Sequence, residues 1–185
     1  MIYLMRHGQD DEYYIGGWSD VKLIPLGVEQ VNDSTLWIKE NLNIRKIVAS
    51  DVTRAIQTAE IVSFGLGVSF SLDSNLREQN KGLLNGMVED VAKVKYQDLL
   101  KEVGVDTTYP EGESLRDLYQ RMKVYVNKIM LMEDDTLLIT HRGVINMIYY
   151  ILQDIPLDMN KGQFGVETAS VHELDVYNKL IRRVK

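Results

Sequence analysis

The sequence predicts an α/β fold, a three-layer α/β/α sandwich around a mixed but mostly parallel sheet. Three observations carry this expectation. Short apolar runs alternate with helical patterns of about 10–15 residues, as in a parallel sheet covered on both faces. The 185 residues, 45% hydrophobic and 26% charged, suit a single domain with a sizeable core, since a typical domain has roughly 150. The three prolines, Pro25, Pro110 and Pro156, all fall between candidate elements.

Ile2 to Met5 is the first candidate buried strand. Val28, Val31, Thr35, Ile38 and Leu42 recur at steps of 3 and 4, one stripe of a helix. Lys46 to Ala49 reads as a strand. Asp51 to Phe64 reads as a helix, capped by Ser50 or Asp51 and stopped by Gly65. Val68 to Leu72 is another short strand. Asn75 to Glu113 is the least legible stretch, with Gly82, Gly86 and a weak amphipathic pattern at Val91 to Leu100. Leu115, Leu118, Met122, Val126 and Ile129 mark the clearest helix, with Ser114 as cap and Asp117 three residues on. Thr136 to Thr140 is a buried strand and Val144 to Leu152 a helix apolar nearly all round. Ser170 to Val184 predicts two strands joined near Tyr177 and Asn178. No repeat or linker divides the chain, so residues 1–185 form one domain, with 75–113 as the candidate cap or insertion.

Zero cysteines excludes a disulfide framework, a zinc–thiolate site and a cysteine nucleophile. It fits a reducing compartment, and a cytoplasmic setting is expected. No apolar stretch reaches the roughly 20 residues needed to cross a bilayer, and no charged-then-apolar leader opens the sequence. The net charge of -6 argues against a general nucleic-acid binder. The basic tail, Lys179, Arg182, Arg183 and Lys185, reads as the solvated face of a last strand. An acidic protein that handles an anion must gather its cations in one place.

In such sheets ligands bind outside the carboxyl ends of the strands. Arg6, His7 and Gly8 follow the first strand, Ser50 and Asp51 the second, with Arg54 one turn into the next helix. His141, Arg142 and Gly143 follow Thr136 to Thr140. Two of only three histidines therefore fall on one sheet edge, with arginines and helix N-termini that suit a phosphoryl dianion. Each residue alone is a weak signal. Four at three strand ends of an acidic protein form a pattern.

The chemistry follows by elimination. There is no G-x-x-x-x-G-K-S/T phosphate loop and no G-x-S-x-G elbow. The acid runs Asp10-Asp11-Glu12 and Asp134-Asp135 have no histidine at ligand spacing and read as solvated loop acids. Histidine itself remains as nucleophile, attacking phosphorus through a ring nitrogen, with a separate acid for the leaving alkoxide.

At this point the residues resemble a known family. Leu4-Met5-Arg6-His7-Gly8 resembles the Arg-His-Gly signature of the histidine phosphatase superfamily, the phosphoglycerate-mutase-like proteins. Gly17-Trp18-Ser19-Asp20, Gly27-Val28-Glu29-Gln30 and the run Ala49 to Ala59 are similar to its next motifs. Leu76-Arg77-Glu78, Pro110 to Ser114 and Ile139-Thr140-His141 follow in the family's order. The resemblance implies a phosphoglycerate-mutase-like fold. It implies that His7 becomes a phosphohistidine, that Arg6, Arg54 and His141 bind the phosphoryl oxygens, and that Glu78 is the general acid and base. The backbone N–H after His141 is expected to reach the phosphate as well.

There are departures. Tyr13 stands where many relatives have an Asn that contacts phosphate. Arg142 follows His141 where a small residue is common, either as an extra anion ligand beside Gly8 or as a solvated side chain. Glu167-Thr168-Ala169-Ser170 replaces the usual amide before a small residue, and Leu23-Ile24-Pro25-Leu26 lacks the usual Leu-Thr pair. His172 reads as structural or surface, and Trp37, Tyr149 and Tyr150 as packing residues.

The expected activity is a metal-independent phosphomonoester hydrolase acting on a small phosphorylated metabolite. A phosphoglycerate mutase and a non-catalytic phospho-ligand-binding protein are the alternatives. Phosphate, sulfate or vanadate are expected to fit the site. No cofactor, metal, nucleic acid or membrane partner is expected, and the oligomeric state is not legible.

Overall fold

The computed structural model describes residues 1–132, 135–160, 162–175 and 177–185. Asp134 of the second acid run lies outside them. Six strands, β1 (Ile2–Arg6), β2 (Lys46–Ala49), β3 (Phe70–Leu72), β4 (Thr136–Thr140), β5 (Val171–Asp175) and β6 (Leu180–Arg183), form one sheet. Their order is β3-β2-β4-β1-β5-β6. The four strands at the β3 side are parallel, and β5 and β6 add antiparallel pairings. The expected mixed, mostly parallel α/β sheet is observed.

Alternation along the strands divides the core. Tyr3, Met5, Ile47, Leu137 and Ile139 face α1 (Pro25–Asn41) and α2 (Thr53–Leu66). Ile2, Leu4, Val48 and Leu138 face α5 (Leu115–Ile129) and α6 (Arg142–Leu152). β4 is buried along its whole length because it is central in the sheet. The α6 residues Val144 to Tyr150 are all buried, which explains a helix apolar nearly all round.

The register aligns the functional ends. Arg6 pairs with Thr140, and Ala49 with Ile139, so the residues that follow β1, β2 and β4 emerge side by side. His7 and Ser50 extend the ladder by donating N–H to Thr140 O and Ile139 O, each at 2.9 Å.

Several boundaries differ from expectation. Pro25 opens α1 at its first position, where its missing N–H costs nothing. The stripe on α1 buries Val31, Thr35 and Ile38, while Val28 is exposed. α2 is capped by Val52, with no side-chain bond; Ser50 and Asp51 are engaged elsewhere. It runs through Gly65 and ends at Gly67, whose φ of 69° is left-handed, a conformation glycine adopts without strain. β3 starts at Phe70, not Val68.

The illegible middle holds α3 (Glu89–Lys95) and α4 (Gln97–Lys101) with two short 3-10 turns. Leu84, Ala92 and Tyr109 form a small separate apolar cluster there. It is tied to the loop after β1 by Ile15 N–H to Met87 O (2.8 Å), Gly86 N–H to Ile15 O (2.7 Å) and Glu89 N–H to Tyr13 O (3.0 Å).

α5 begins with the expected capping box. Ser114 Oγ accepts from Asp117 N–H at 3.0 Å, and Asp117 Oδ2 accepts from Ser114 N–H at 2.9 Å. Ser114→Ala should cost about 1 kcal/mol of stability through loss of this cap. Urea unfolding will read the shift in midpoint at unchanged slope.

Candidate active site

β1 delivers Arg6 and His7 to the sheet edge. His7 is buried, and its Nδ1 lies 2.7 Å from Gly8 O. A carbonyl only accepts, so Nδ1 carries the proton and Nε2 is left as an acceptor. Arg54 Nε donates to that Nε2 at 3.2 Å. Burial pushes the His7 imidazole well below its ordinary pKa, with the charges of Arg54 and Arg6 adding to the effect. His7 is neutral.

Arg54, at the start of α2, is only 2% exposed. Nη2 donates to Gly17 O at 2.8 Å, and Nε lies 3.3 Å from Asp10 Oδ2. Asp10 is therefore a site residue, correcting its reading as a solvated loop acid. Gly8 N–H donates to Thr58 Oγ1 (3.2 Å), which donates to Arg54 O (2.8 Å) and braces signature and helix.

His141 ends β4, fully buried, with its ring centroid 5.1 Å from that of His7. Its Nε2 lies 2.8 Å from Ser50 Oγ. Val52 N–H donates to the same hydroxyl at 3.4 Å, and since a hydroxyl accepts twice and donates once, either His141 tautomer satisfies this contact. Burial, with the Arg54 charge behind it, holds His141 well below the ordinary range too. Arg6 Nη1 donates to Val166 O at 3.0 Å, and burial, with Arg142 next, lowers this guanidinium to about 10. Among the described residues the buried nitrogens Arg6 Nε, Arg54 Nη1 and His141 Nδ1 have no partner. Buried polar groups without partners are costly.

Glu78 is on the loop after β3. Its Oε1 accepts from Gln79 N–H (2.8 Å) and its Oε2 from Gly143 N–H (3.0 Å). A Cβ at position 143 would overlap the carboxylate, so the glycine is required by close approach. Burial alone would raise the Glu78 carboxyl; the Gly143 and Gln79 donors and the Arg54 charge outweigh it and hold Glu78 below the ordinary carboxylate range. The loop is fixed by Trp18 Nε1–H to Glu78 O (2.7 Å), the bidentate Arg77–Asp51 pair (2.6 Å) and Arg121, which reaches Glu78 O at 3.2 Å.

Arg6, His7, Arg54, Glu78 and Gly143 line one cavity of about 360 Å³. Lys81 and the exposed Arg142 join the wall, with Glu12, Tyr14, Glu89 and Asp158 further out. Burial lowers the Lys81 ammonium to about 8, against the pull of Glu78. Tyr13 is exposed and does not line this cavity, whereas Tyr14 does. Among the described residues no three of His, Asp and Glu gather as a metal site, and no helix is long and apolar enough to cross a membrane. The structure thus brings Arg6, His7, Gly8, Arg54, Glu78, His141 and Arg142 together. Asp10, Ser50, Thr58, Trp18 and Arg121 were missed, since their roles depend on side-chain direction; for Ser50 the signal was its place at a strand end beside Arg54.

A family model, the histidine phosphatase superfamily (branch 1), matches residues 2–184, and the chain belongs to that superfamily of phosphoryl-transferring enzymes. It is 27% identical over 183 residues to the probable phosphoglycerate mutase GpmB of Erwinia tasmaniensis, covering 94% of this chain and 84% of that protein. The protein of the same name from Escherichia coli O1:K1 / APEC is 35% identical over 127 residues, 65% of this chain and 59% of the relative's length. Bacillus stearothermophilus YhfR superposes with a TM-score of 0.80 at 25% identity, covering 94% and 91% of the two chains. A mycobacterial glucosyl-3-phosphoglycerate phosphatase with VO3 gives 0.78 at 24% identity over 94% and 92%, a likeness of fold.

The buried histidines set a pH dependence. Burial also lowers His172, to about 4. All three imidazoles are neutral when folded but titrate near 6.5 when unfolded. Acid below that value protonates only the unfolded chain. Stability is therefore flat above about pH 6.5 and falls below it, by up to about 1.4 kcal/mol per pH unit for each imidazole. Urea titrations should give equal midpoints at pH 7.5 and 7.0 and a lower one at pH 5.5. A midpoint unchanged at pH 5.5 would contradict the neutral assignment.

Proposed function

We propose that the chain is a metal-independent phosphomonoester hydrolase that works through a phosphohistidine at His7. The observation that carries this is the neutral His7 ring, its tautomer set by Gly8 O, in a site where Arg6 Nε and Arg54 Nη1 are buried donors without a partner among the described residues. Substrate binding draws Arg54 Nε–H from His7 Nε2 to a phosphoryl oxygen, and the freed lone pair attacks phosphorus as the ester P–O bond breaks. Arg6, Arg54 and His141 hold the phosphoryl oxygens, and the exposed Arg142 adds charge at the mouth. Positive charge from guanidiniums takes the place a metal ion has elsewhere.

Glu78 protonates the leaving alkoxide. Its pKa is depressed in the free site, so the proton must come with the substrate or with the charge change on binding. A bound phosphoryl dianion opposes the Glu78 charge and raises its pKa. Alternatively the ester arrives as its monoanion, whose second pKa is about 6, and passes the proton across. After the alcohol leaves, Glu78 takes a proton from water, the hydroxide attacks phosphorus, and the P–N bond breaks to release phosphate and neutral His7.

Gly143 N–H is engaged by Glu78 and orients the acid, while the Arg142 N–H directly after His141 is the one that reaches the phosphate in this reading. Residues 75–113 serve as a small cap on the single domain, and the cavity of about 360 Å³ suits a small metabolite. A mutase must shield its phosphoenzyme from water, and this short cap favours hydrolysis. The cysteine-free composition suits a reducing cytoplasm.

His7→Ala should abolish phosphate release with unchanged circular dichroism, and a residual rate above a tenth would overturn the covalent route. Wild-type activity should survive EDTA and fall to vanadate. Glu78→Gln should lose about 10²–10⁴-fold on an alkyl phosphate. With p-nitrophenyl phosphate the first turnover should be far less affected, giving a nitrophenol burst and a trapped phosphoenzyme in rapid-quench experiments. Equal losses on both substrates with no burst would move the acid role to another residue.

A further inference from the structure

The segment from Val166 to Ser170 lies directly against the signature. Val166 O accepts from Arg6 Nη1 (3.0 Å), Ser170 O accepts from Arg6 N–H (3.1 Å), and Ala169 N–H donates to His7 O (3.1 Å). Both ends of the Arg6 residue and the His7 backbone therefore depend on where this segment sits. Ala169 has a φ of 55°, a left-handed conformation that a side-chain-bearing residue keeps only when its surroundings impose it.

The turn is held by Ser170 N–H donating to Glu167 O at 3.2 Å and Ser34 Oγ–H donating to Ala169 O at 2.8 Å, and by a buried chain of side-chain hydrogen bonds. Ser170 Oγ lies 2.7 Å from Glu167 O, and a carbonyl can only accept, so the hydroxyl proton points there. His172 Nε2, 2.9 Å from the same oxygen, must then be the donor. Its Nδ1 is left as acceptor for Tyr149 O–H, also at 2.9 Å. Protons run one way: Tyr149 to His172 to Ser170 to the Glu167 carbonyl. All three side chains are buried, and Tyr149 is held by stacking on Phe164 with ring centroids 4.6 Å apart. His172 pairs in register with Leu4 on β1, two residues before Arg6. The chain thus spans from α6 to the loop under the site.

We infer that His172 is a positioning residue, which through Ser170 fixes the 166–170 segment and so aims Arg6 at the phosphoryl group. A purely apolar residue could fill the same core position between β5 and α6 but could not hold the turn. The effect of this chain on catalysis rests on the phosphatase reading above; its effect on Arg6 does not.

The test uses His172→Phe, which keeps the ring volume and removes both nitrogens, His172→Gln, which keeps a donor and an acceptor, and Ser170→Ala. Each full-length variant is first checked for cooperative unfolding. His172→Phe should raise KM for p-nitrophenyl phosphate and the vanadate inhibition constant together by about tenfold, with kcat changed less than threefold. His172→Gln should recover most of this loss. Ser170→Ala should match His172→Phe, and the double variant should be no worse than either single, because residues of one chain are not additive. The Arg6 Nε–H resonance in ligand-free ¹⁵N-labelled protein gives a readout that needs no turnover. It should move in His172→Phe and Ser170→Ala while that of Arg116 on α5 stays fixed. Should the wild type prove to have no phosphatase activity, the resonance decides alone. An Arg6 signal unmoved in both variants, or additive effects in the double variant, would overturn the inference, and so would His172→Phe failing to fold while Ser170→Ala leaves Arg6 unmoved.

Discussion

Burying the Arg54 guanidinium is the constraint on which this architecture turns. A charge taken out of water costs several kcal/mol unless its hydrogen-bond donors are met and its charge is offset. Gly17 O, His7 Nε2 and Asp10 Oδ2 meet most of this demand. To supply them, the loop after β1 must fold back over the start of α2, and Asp10 must turn inward. Arg54 Nη1, with two N–H groups, has no partner among the described residues, nor do Arg6 Nε and His141 Nδ1. The same burial keeps His7 and His141 uncharged, because adding more positive charge beside two guanidiniums is unfavourable. The buried guanidinium and the neutrality of both imidazoles have one origin.

Glu78 is handled in the opposite way. Its carboxylate is pinned by two backbone N–H groups, and its loop is braced by Trp18, Arg121 and the Arg77–Asp51 pair. That pinning sets position at the expense of acidity, since donors to a carboxylate favour the charged form. The proposed acid thus depends on the substrate's own charge to become protonated, which couples proton donation to occupancy. Asp51, read from sequence as a helix cap, belongs to this brace. It shows how one side chain can serve the second strand end and the acid loop together.

Much was legible from residues alone. The periodicity of Leu115 to Ile129 and the Ser114–Asp117 box located α5, and the apolar runs located β1, β2 and β4, because those signals are local. The placement of Arg6, His7, Ser50, Arg54 and His141 on one edge followed from the rule for parallel sheets, and the register of β1 with β4 and of β2 with β4 delivers it. The middle segment was not legible. Its two short helices are held by contacts with the loop after β1, so they carry little periodicity of their own. Gly65 misled because a glycine ends a helix only where the backbone turns left-handed, and that happens at Gly67.

By itself the sequence determined the layered α/β class, the order of elements and which residue types would meet at the sheet edge. These depend on alternation, caps and strand-end position, all encoded within a few neighbouring residues. Only the tertiary structure decided the inward turn of Asp10, the contact that holds the His141 ring, the depressed acidity of Glu78 and the one-way chain through His172. Each of these is set by a partner distant along the chain: Arg54 for Asp10, Ser50 for His141, Gly143 for Glu78, Tyr149 for His172. A hydrogen bond or a desolvated charge exists only once both partners are in place, and no local pattern in a chain records which distant group will supply the second half.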